Sequence, residues 1–143
     1  MGRKLPKDGG RAIVAFFTEV KDFITLHHTN ADMKPYLEPI GIGLNHLQQA
    51  TMWFMQNAMT KPDNAGAGAY DYLHLFGHVA LGFMWAQMAQ TALTLKEQQP
   101  EAMETKLVTA RYFMERILPD TATRLARITT GATTMMALPA DQF

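Results

Sequence analysis

The fold is decided by a stretch near the middle of the chain that reads AYDYLHLFGHVALGFMW over residues 69–85. Its apolar residues return every three or four positions, as on the buried side of an α-helix, and the period continues to about residue 98. We assign the main apolar face of this predicted helix to Leu73, Phe76, Gly77, Ala80, Met84, Met88, Thr91 and Leu95. A second face carries Leu81, Trp85 and Ala92 with His74 and His78. A helix that is apolar on two sides lies in the middle of an assembly or offers one side to another chain or domain.

Two glycines lie inside this predicted helix, Gly77 and Gly82. Each destabilises a helix by about 1 kcal/mol relative to alanine. We therefore expect each of them to admit a neighbouring helix at close range.

Four further helices are predicted around the central one, and no segment alternates as a strand does. They cover about residues 11–28, after a start signal at Asp8 and two glycines, and about 35–60, 101–118 and a shorter stretch after Pro119. Residues 61–68, KPDNAGAG, are predicted to be a loop because proline, asparagine and glycine favour turns. The short connections favour antiparallel neighbours. We expect an all-α fold, an up-and-down four-helix bundle with an additional short C-terminal helix.

The residues expected to face the core share helical spacing on these four helices. They are Ile13, Phe16, Phe17, Val20, Ile24 and His27; Leu37, Ile40, Leu44, Leu47, Thr51, Phe54, Met55 and Ala58; Met103, Leu107, Ala110, Met114 and Ile117; and Leu125, Ile128, Thr129 and Ala132.

The composition excludes several classes of function. Of the 143 residues, 13 are Lys or Arg and 13 are Asp or Glu, so no net positive field favours nucleic acid. The chain has no cysteine, which removes disulfides, thiolate metal sites and cysteine nucleophiles. Its longest apolar stretch, residues 79–86, is far shorter than the ~20 residues that a membrane span needs. We expect one cytoplasmic domain.

His74 and His78 lie four residues apart, on one side of the predicted helix, and such a pair can bind a metal. A zinc or haem site needs further donors, which His27, His28 or His46 would have to supply. A free-standing bundle that binds a metal or haem through His74 and His78 is one alternative interpretation. A ligand-free dimerisation module is another.

No other pattern indicates a self-contained active site. Glu101 and Glu104 fit the acidic first turn of a helix, and Asp63 and Asp71 are expected to cap the central helix. We assign no catalytic, cofactor-binding or metal-binding residue. Met135 and Met136 follow a short helix with little else to pack against, and we hypothesise that this C-terminal end docks on a partner surface, so that truncation after Gly131 would impair the parent assembly.

Two stretches resemble a known family as sequence. They are AYDYLHLFGHVALGFMW, residues 69–85, and KLVTARYF, residues 106–113, with Ile117-Leu118-Pro119 beyond. Both are similar to the C-terminal extension of a subgroup of acyl-CoA dehydrogenases, the kind related to methylmercaptopropionyl-CoA dehydrogenase. The opening RKLP and GGR, within residues 3–11, resemble the junction that leads into that extension. The resemblance covers nearly the whole chain.

The resemblance implies that residues 1–10 are a linker from an upstream catalytic region and that residues 11–143 are the C-terminal helical bundle. In such enzymes FAD is bound by the preceding domains, and a glutamate there removes the α-proton of an acyl-CoA while the flavin accepts hydride. No glutamate of this chain stands in a matching context, whether Glu19, Glu38, Glu97, Glu101, Glu104 or Glu115. We expect an accessory domain of fatty acid metabolism without a cofactor of its own, in contact with the remainder of the enzyme chain and a neighbouring subunit.

Overall fold

The computed structural model describes residues 10–142, and these residues form helices without any strand. The helices are α1 (Arg11–His27), α2 (Lys34–Asn57), α3 (Pro62–Leu95), α4 (Pro100–Tyr112) and α5 (Asp120–Thr130). A π-helical turn, Phe113–Ile117, follows α4 directly, and 3-10 turns lie at Ala31–Met33 and Ala140–Gln142. The predicted start signal at Asp8 and all of the predicted linker except Gly10 lie outside the described residues.

Contacts at both ends of α3 establish the direction of its neighbours. Gly68 of α3 lies against Phe54 of α2, and Gly82 lies against Ile40, so α2 and α3 are antiparallel. On the other side, Lys96 pairs with Glu104, and Asp71 pairs with Arg124. The segment formed by α4, the π turn and α5 is therefore antiparallel to α3 along its whole length. The all-α up-and-down bundle of four main helices is confirmed, and the shorter fifth helix continues in the direction of α4.

Three long segments, α2, α3 and the segment formed by α4, the π turn and α5, all meet beside the π turn. A Cβ on Gly43 of α2 would lie 3.3 Å from Cδ1 of Leu118, and a Cβ on Gly82 of α3 would lie 3.0 Å from Cδ1 of Ile40 and 3.3 Å from that same Leu118 methyl. Leu118 is buried beside Val79 and closes the π turn by donating its N–H to the carbonyl of Phe113 at 2.9 Å. The prediction that Gly82 admits a neighbouring helix is confirmed.

The first helix is attached mainly through aromatic rings. Phe16 lies 5.0 Å from Phe76 and 6.4 Å from Phe83, and Phe23 makes an edge contact with Phe83 at 5.4 Å. Val20 is the fully buried residue of α1. The predicted core stripe of this helix is confirmed, and α1 covers one flank of α3.

The predicted loop over residues 61–68 is wrong, because α3 begins at Pro62. Proline at the first position of a helix loses no hydrogen bond, and Asp63 complements the positive end of the helix dipole. Asn64 adds two tertiary hydrogen bonds: its amide donates to the Asn57 carbonyl at 3.1 Å and accepts from the Ala132 N–H at 2.9 Å. These tertiary hydrogen bonds of Asn64 outweigh the preference of residues 61–68 for turns.

The predicted core face of α3 is also wrong in part. Leu73, Met84 and Met88 are 68%, 56% and 38% exposed. The side that faces the core carries mostly small or aromatic residues, Gly68, Tyr72, Leu75, Val79, Gly82, Phe83, Ala86, Ala89 and Ala92. Hydrophobic period alone cannot choose between two apolar sides, and the side with alanine and glycine allows the closest helix contacts. Elsewhere the predicted core residues are buried or partly buried, apart from Met55 and Thr129, which are exposed.

Two glycines in the first turns of α3 allow a matched test of its packing. Gly66→Ala is expected to raise the free energy of unfolding by about 0.5–1 kcal/mol, because a Cβ there meets nothing within 4 Å. Gly68→Ala is expected to lower it by about 1 kcal/mol, because its Cβ would lie 2.6 Å from Cζ of the buried Phe54 ring. Urea denaturation of both variants measures the difference. Equal stabilisation by the two substitutions would contradict the packing described for Phe54.

Candidate functional site

A cluster of charged side chains joins α3 to α5. Arg124 donates from Nε to Asp120 Oδ2 and from Nη1 to Asp71 Oδ1, both at 2.8 Å. Its guanidinium lies 5.5 Å from the centre of the Tyr70 ring. The hydrogen bonds with Asp120 and then Asp71 raise the pKa of Arg124. Asp71 lies inside α3, so the prediction that it caps this helix is wrong, and the carboxylate instead holds α5 in place.

Of the five histidines, His74 and His78 lie near each other on α3, and each of the five has a close neighbour of another residue type. His78 Nδ1 lies 3.8 Å from Asp120 Oδ2. The other four contact single residues: His46 Nδ1 lies 3.0 Å from Thr121 Oγ1, His74 4.3 Å from the Tyr70 ring, His27 4.6 Å from the Phe23 ring, and His28 Nδ1 2.6 Å from the Thr25 carbonyl oxygen. Within residues 10–142, no three His, Cys, Asp or Glu side chains are grouped as metal ligands would be.

Burial determines the charge of two of these histidines. Burial lowers the pKa of His46, and it lowers that of His78 despite the opposing effect of the Asp120 carboxylate. Both rings are therefore neutral at pH 7. Nδ1 of His78 is buried without a hydrogen-bond partner. Its distance from Asp120 leaves an ion pair available on protonation, and the nearby Arg124 and His74 oppose that protonation.

An open cleft lies between the start of α2 and the side of α4. It has a volume of about 290 Å³ and is lined in part by Tyr36, Lys96, Glu104 and Arg111. Lys96 and Glu104 pair with each other at 2.9 Å, and the Tyr36 hydroxyl donates to the Leu107 carbonyl at 3.3 Å. Burial raises the pKa of Tyr36, so the hydroxyl stays protonated. These groups are used to connect α2, α3 and α4, and we assign them no chemical role.

The side of α3 that faces away from the core is an apolar surface. It follows eight residues with alternating spacings of four and three, Tyr70, His74, Gly77, Leu81, Met84, Met88, Thr91 and Leu95, which we call the α3 seam. Tyr70, Leu81 and Met84 are 63%, 50% and 56% exposed. From residue 72 to residue 95 the sequence contains no Asp, Glu, Lys or Arg. The seam is the candidate functional surface.

Gly77 lies within this surface. A Cβ at this position would meet no atom within 4 Å, so the expected close neighbour of Gly77 does not come from residues 10–142. None of the helices in that range combines the length and the hydropathy of a membrane span.

The α3 seam and nearly all of the bundle fall within one family match. Residues 16–139 match the family described as acetyl-CoA dehydrogenase C-terminal like. The chain belongs to this family. A comparison with curated proteins gave no match. The match begins within α1 and ends beyond α5, so this acyl-CoA dehydrogenase C-terminal-like domain covers the bundle except for the first five residues of α1.

The C-terminal methionines of the domain lie beyond the predicted fifth helix. The helix ends at Thr130, and Gly131 adopts a positive φ of 69°. Met135 and Met136 follow in turns and are 64% and 62% exposed. Their docking on a partner surface stays a prediction.

The charged cluster predicts a large loss of stability on substitution. Arg124→Gln is expected to lower the free energy of unfolding by about 2 kcal/mol, because Asp71, only 14% exposed, would lose its main charged partner. Lys34→Gln is the control, since Lys34 and Glu38 form an exposed pair that contributes less than about 1 kcal/mol. Equal losses in the two variants, measured by denaturant titration, would show that the cluster does not hold α5.

The two partly buried histidines, His46 and His78, lead us to expect a loss of stability in acid. The ordinary pKa of histidine is 6.5, and the folded state lowers it for His46 and His78. The unfolded chain therefore binds protons first, and the free energy of unfolding falls as the pH decreases below about 6.5. His78→Gln is expected to reduce this slope. A wild-type curve that is flat between pH 7 and 5 would contradict the assignment.

Proposed function

We propose that this domain is the accessory C-terminal helical domain of an FAD-dependent acyl-CoA dehydrogenase, of the methylmercaptopropionyl-CoA dehydrogenase-like subgroup. The observation that carries the proposal is the family match over residues 16–139. The complete enzyme would oxidise the α,β bond of an acyl-CoA thioester in the cytoplasm, as part of fatty acid metabolism. FAD and the catalytic base belong to the preceding domains.

Within the complete enzyme, this domain would contribute to packing, to the contact between subunits or to the shape of the active site. Its ionic groups act within the domain: Arg124 holds α3 to α5, and Lys96 holds α3 to α4. Its surface leaves an uncharged apolar strip along α3. Such a strip suits contact with another protein surface better than binding of a charged substrate.

The bundle is built to present that strip in a fixed orientation. α2 and the α4–α5 segment pack on the core side of α3, and α1 covers one flank through Phe16 and Phe23. A helix of 34 residues, about 51 Å long, is thus held from several sides. A neighbouring domain or subunit would meet a rigid surface and would lose little free energy in ordering it.

The proposal predicts where redox chemistry is found. The complete gene product is expected to reduce an electron-accepting dye in the presence of FAD and an acyl-CoA thioester. The 143-residue chain, incubated with FAD, haem and divalent metals and then separated from unbound ligand, is expected to remain colourless and free of metal. Absorbance spectra and metal analysis of the separated chain test this expectation.

The histidine-based alternative gives the opposite result. Stoichiometric haem or metal on the purified chain, lost in His74→Ala or His78→Ala, would overturn the accessory-domain proposal. His28→Ala is the matched control for a histidine outside α3. Upstream coding sequence without a flavin-binding region would overturn it independently.

A further inference from the structure

The α3 seam has the spacing of a helix-pairing surface. Alternating steps of four and three residues place Tyr70, Gly77, Met84 and Thr91 in one row and His74, Leu81, Met88 and Leu95 in the other. This is the heptad arrangement in which side chains of two helices interlock at a crossing angle of about 20°. The seam therefore fits a second helix along its full length.

The seam is self-complementary when the second helix is reversed, because its order of spacings reads the same in both directions. With Leu81 opposite Met84 of another copy, Gly77 faces Met88, His74 faces Thr91, and Tyr70 faces Leu95. Each glycine is then opposite a long flexible side chain, and each histidine is opposite a hydroxyl with which it can form a hydrogen bond. A parallel pair would instead place glycine against glycine and tyrosine against tyrosine.

The absence of charged side chains also allows two identical surfaces to meet. Because residues 72–95 carry no Asp, Glu, Lys or Arg, no like charges oppose each other when one seam faces another. A partner with a charged surface would have to lose its hydration without gaining an ion pair here.

The seam is long enough for a contact between two copies, although α3 alone supplies only about half the width of a standard interface. It extends over 25 residue steps, or about 38 Å. A standard interface of roughly 800 Å² per partner requires a strip about 20 Å wide at that length. α3 with its side chains is about 10–12 Å wide, and the exposed Leu73 and half-buried Trp85 widen the apolar surface on its two sides.

We propose that the α3 seam is the contact between two copies of this chain, paired antiparallel about a two-fold axis between Leu81 and Met84. This deepens the proposed subunit contact, and it rests on the proposed function only for its place in the complete enzyme. Gly77 is explained by the pairing, since it receives Met88 of the second copy.

Light scattering on the purified chain tests the pairing. The expected mass is about 32 kDa, twice the 16.0 kDa of one chain. Leu81→Glu is expected to weaken the dimer by about 100-fold or more, because it places two like charges beside the two-fold axis. Leu81 is 50% exposed, so helicity by circular dichroism is expected to be unchanged. Val108→Glu, at a 61% exposed position on α4, is the matched control and should remain a dimer.

Cysteine cross-linking tests the direction, since the chain has no cysteine of its own. When Tyr70→Cys and Leu95→Cys chains are mixed and oxidised, the antiparallel pair gives the mixed disulfide, and either variant alone gives none. A parallel pair would give disulfides in each variant alone. A monomeric wild type, or a dimer that Leu81→Glu leaves intact, would overturn the proposal. These results do not depend on flavin chemistry, so they can fail while the accessory-domain proposal stands.

Discussion

The close approach of three helical segments at Gly43, Gly82 and Leu118 is the constraint on which the rest of this domain depends. Any side chain at either glycine would meet the Leu118 methyl groups within 3.3 Å. The π turn brings Leu118 into that position, and the segment beyond it is then held by the Arg124 cluster. The core is therefore fixed by the absence of two side chains as much as by the presence of apolar ones.

This constraint also explains the surface that α3 presents. Since the small residues of α3 are used on the core side, its larger flexible residues, Leu73, Met84 and Met88, remain outside. In a soluble monomer such residues expose apolar area without benefit. The same distribution is expected of a helix in the middle of a larger assembly, which agrees with the proposed pairing of two copies.

The sequence is sufficient to predict the helical class, the number of helices and most core residues, because the periods of α1, α2 and α4 have one apolar side each. It is not sufficient for α3, where both sides are apolar and the choice between them depends on distances across Gly82 and Gly68. The helix start at Pro62 depends on the tertiary bonds of Asn64. The seam could have been found from the spacing of residues 70–95 and from the missing charges of residues 72–95, both of which are visible in the sequence.

The uncharged length of α3 also matters while the chain is being made. Its core side is covered on one face by α2, which precedes it, and on another by α4 and α5, which follow it. At 5–20 residues per second, the ribosome needs about 2–7 s to add residues 96–130 after Leu95 has been made. During that interval the nascent chain carries its longest charge-free stretch, residues 72–95, with two sides of the helix open, which makes this stretch the main hazard for aggregation and the part of the chain most in need of a chaperone.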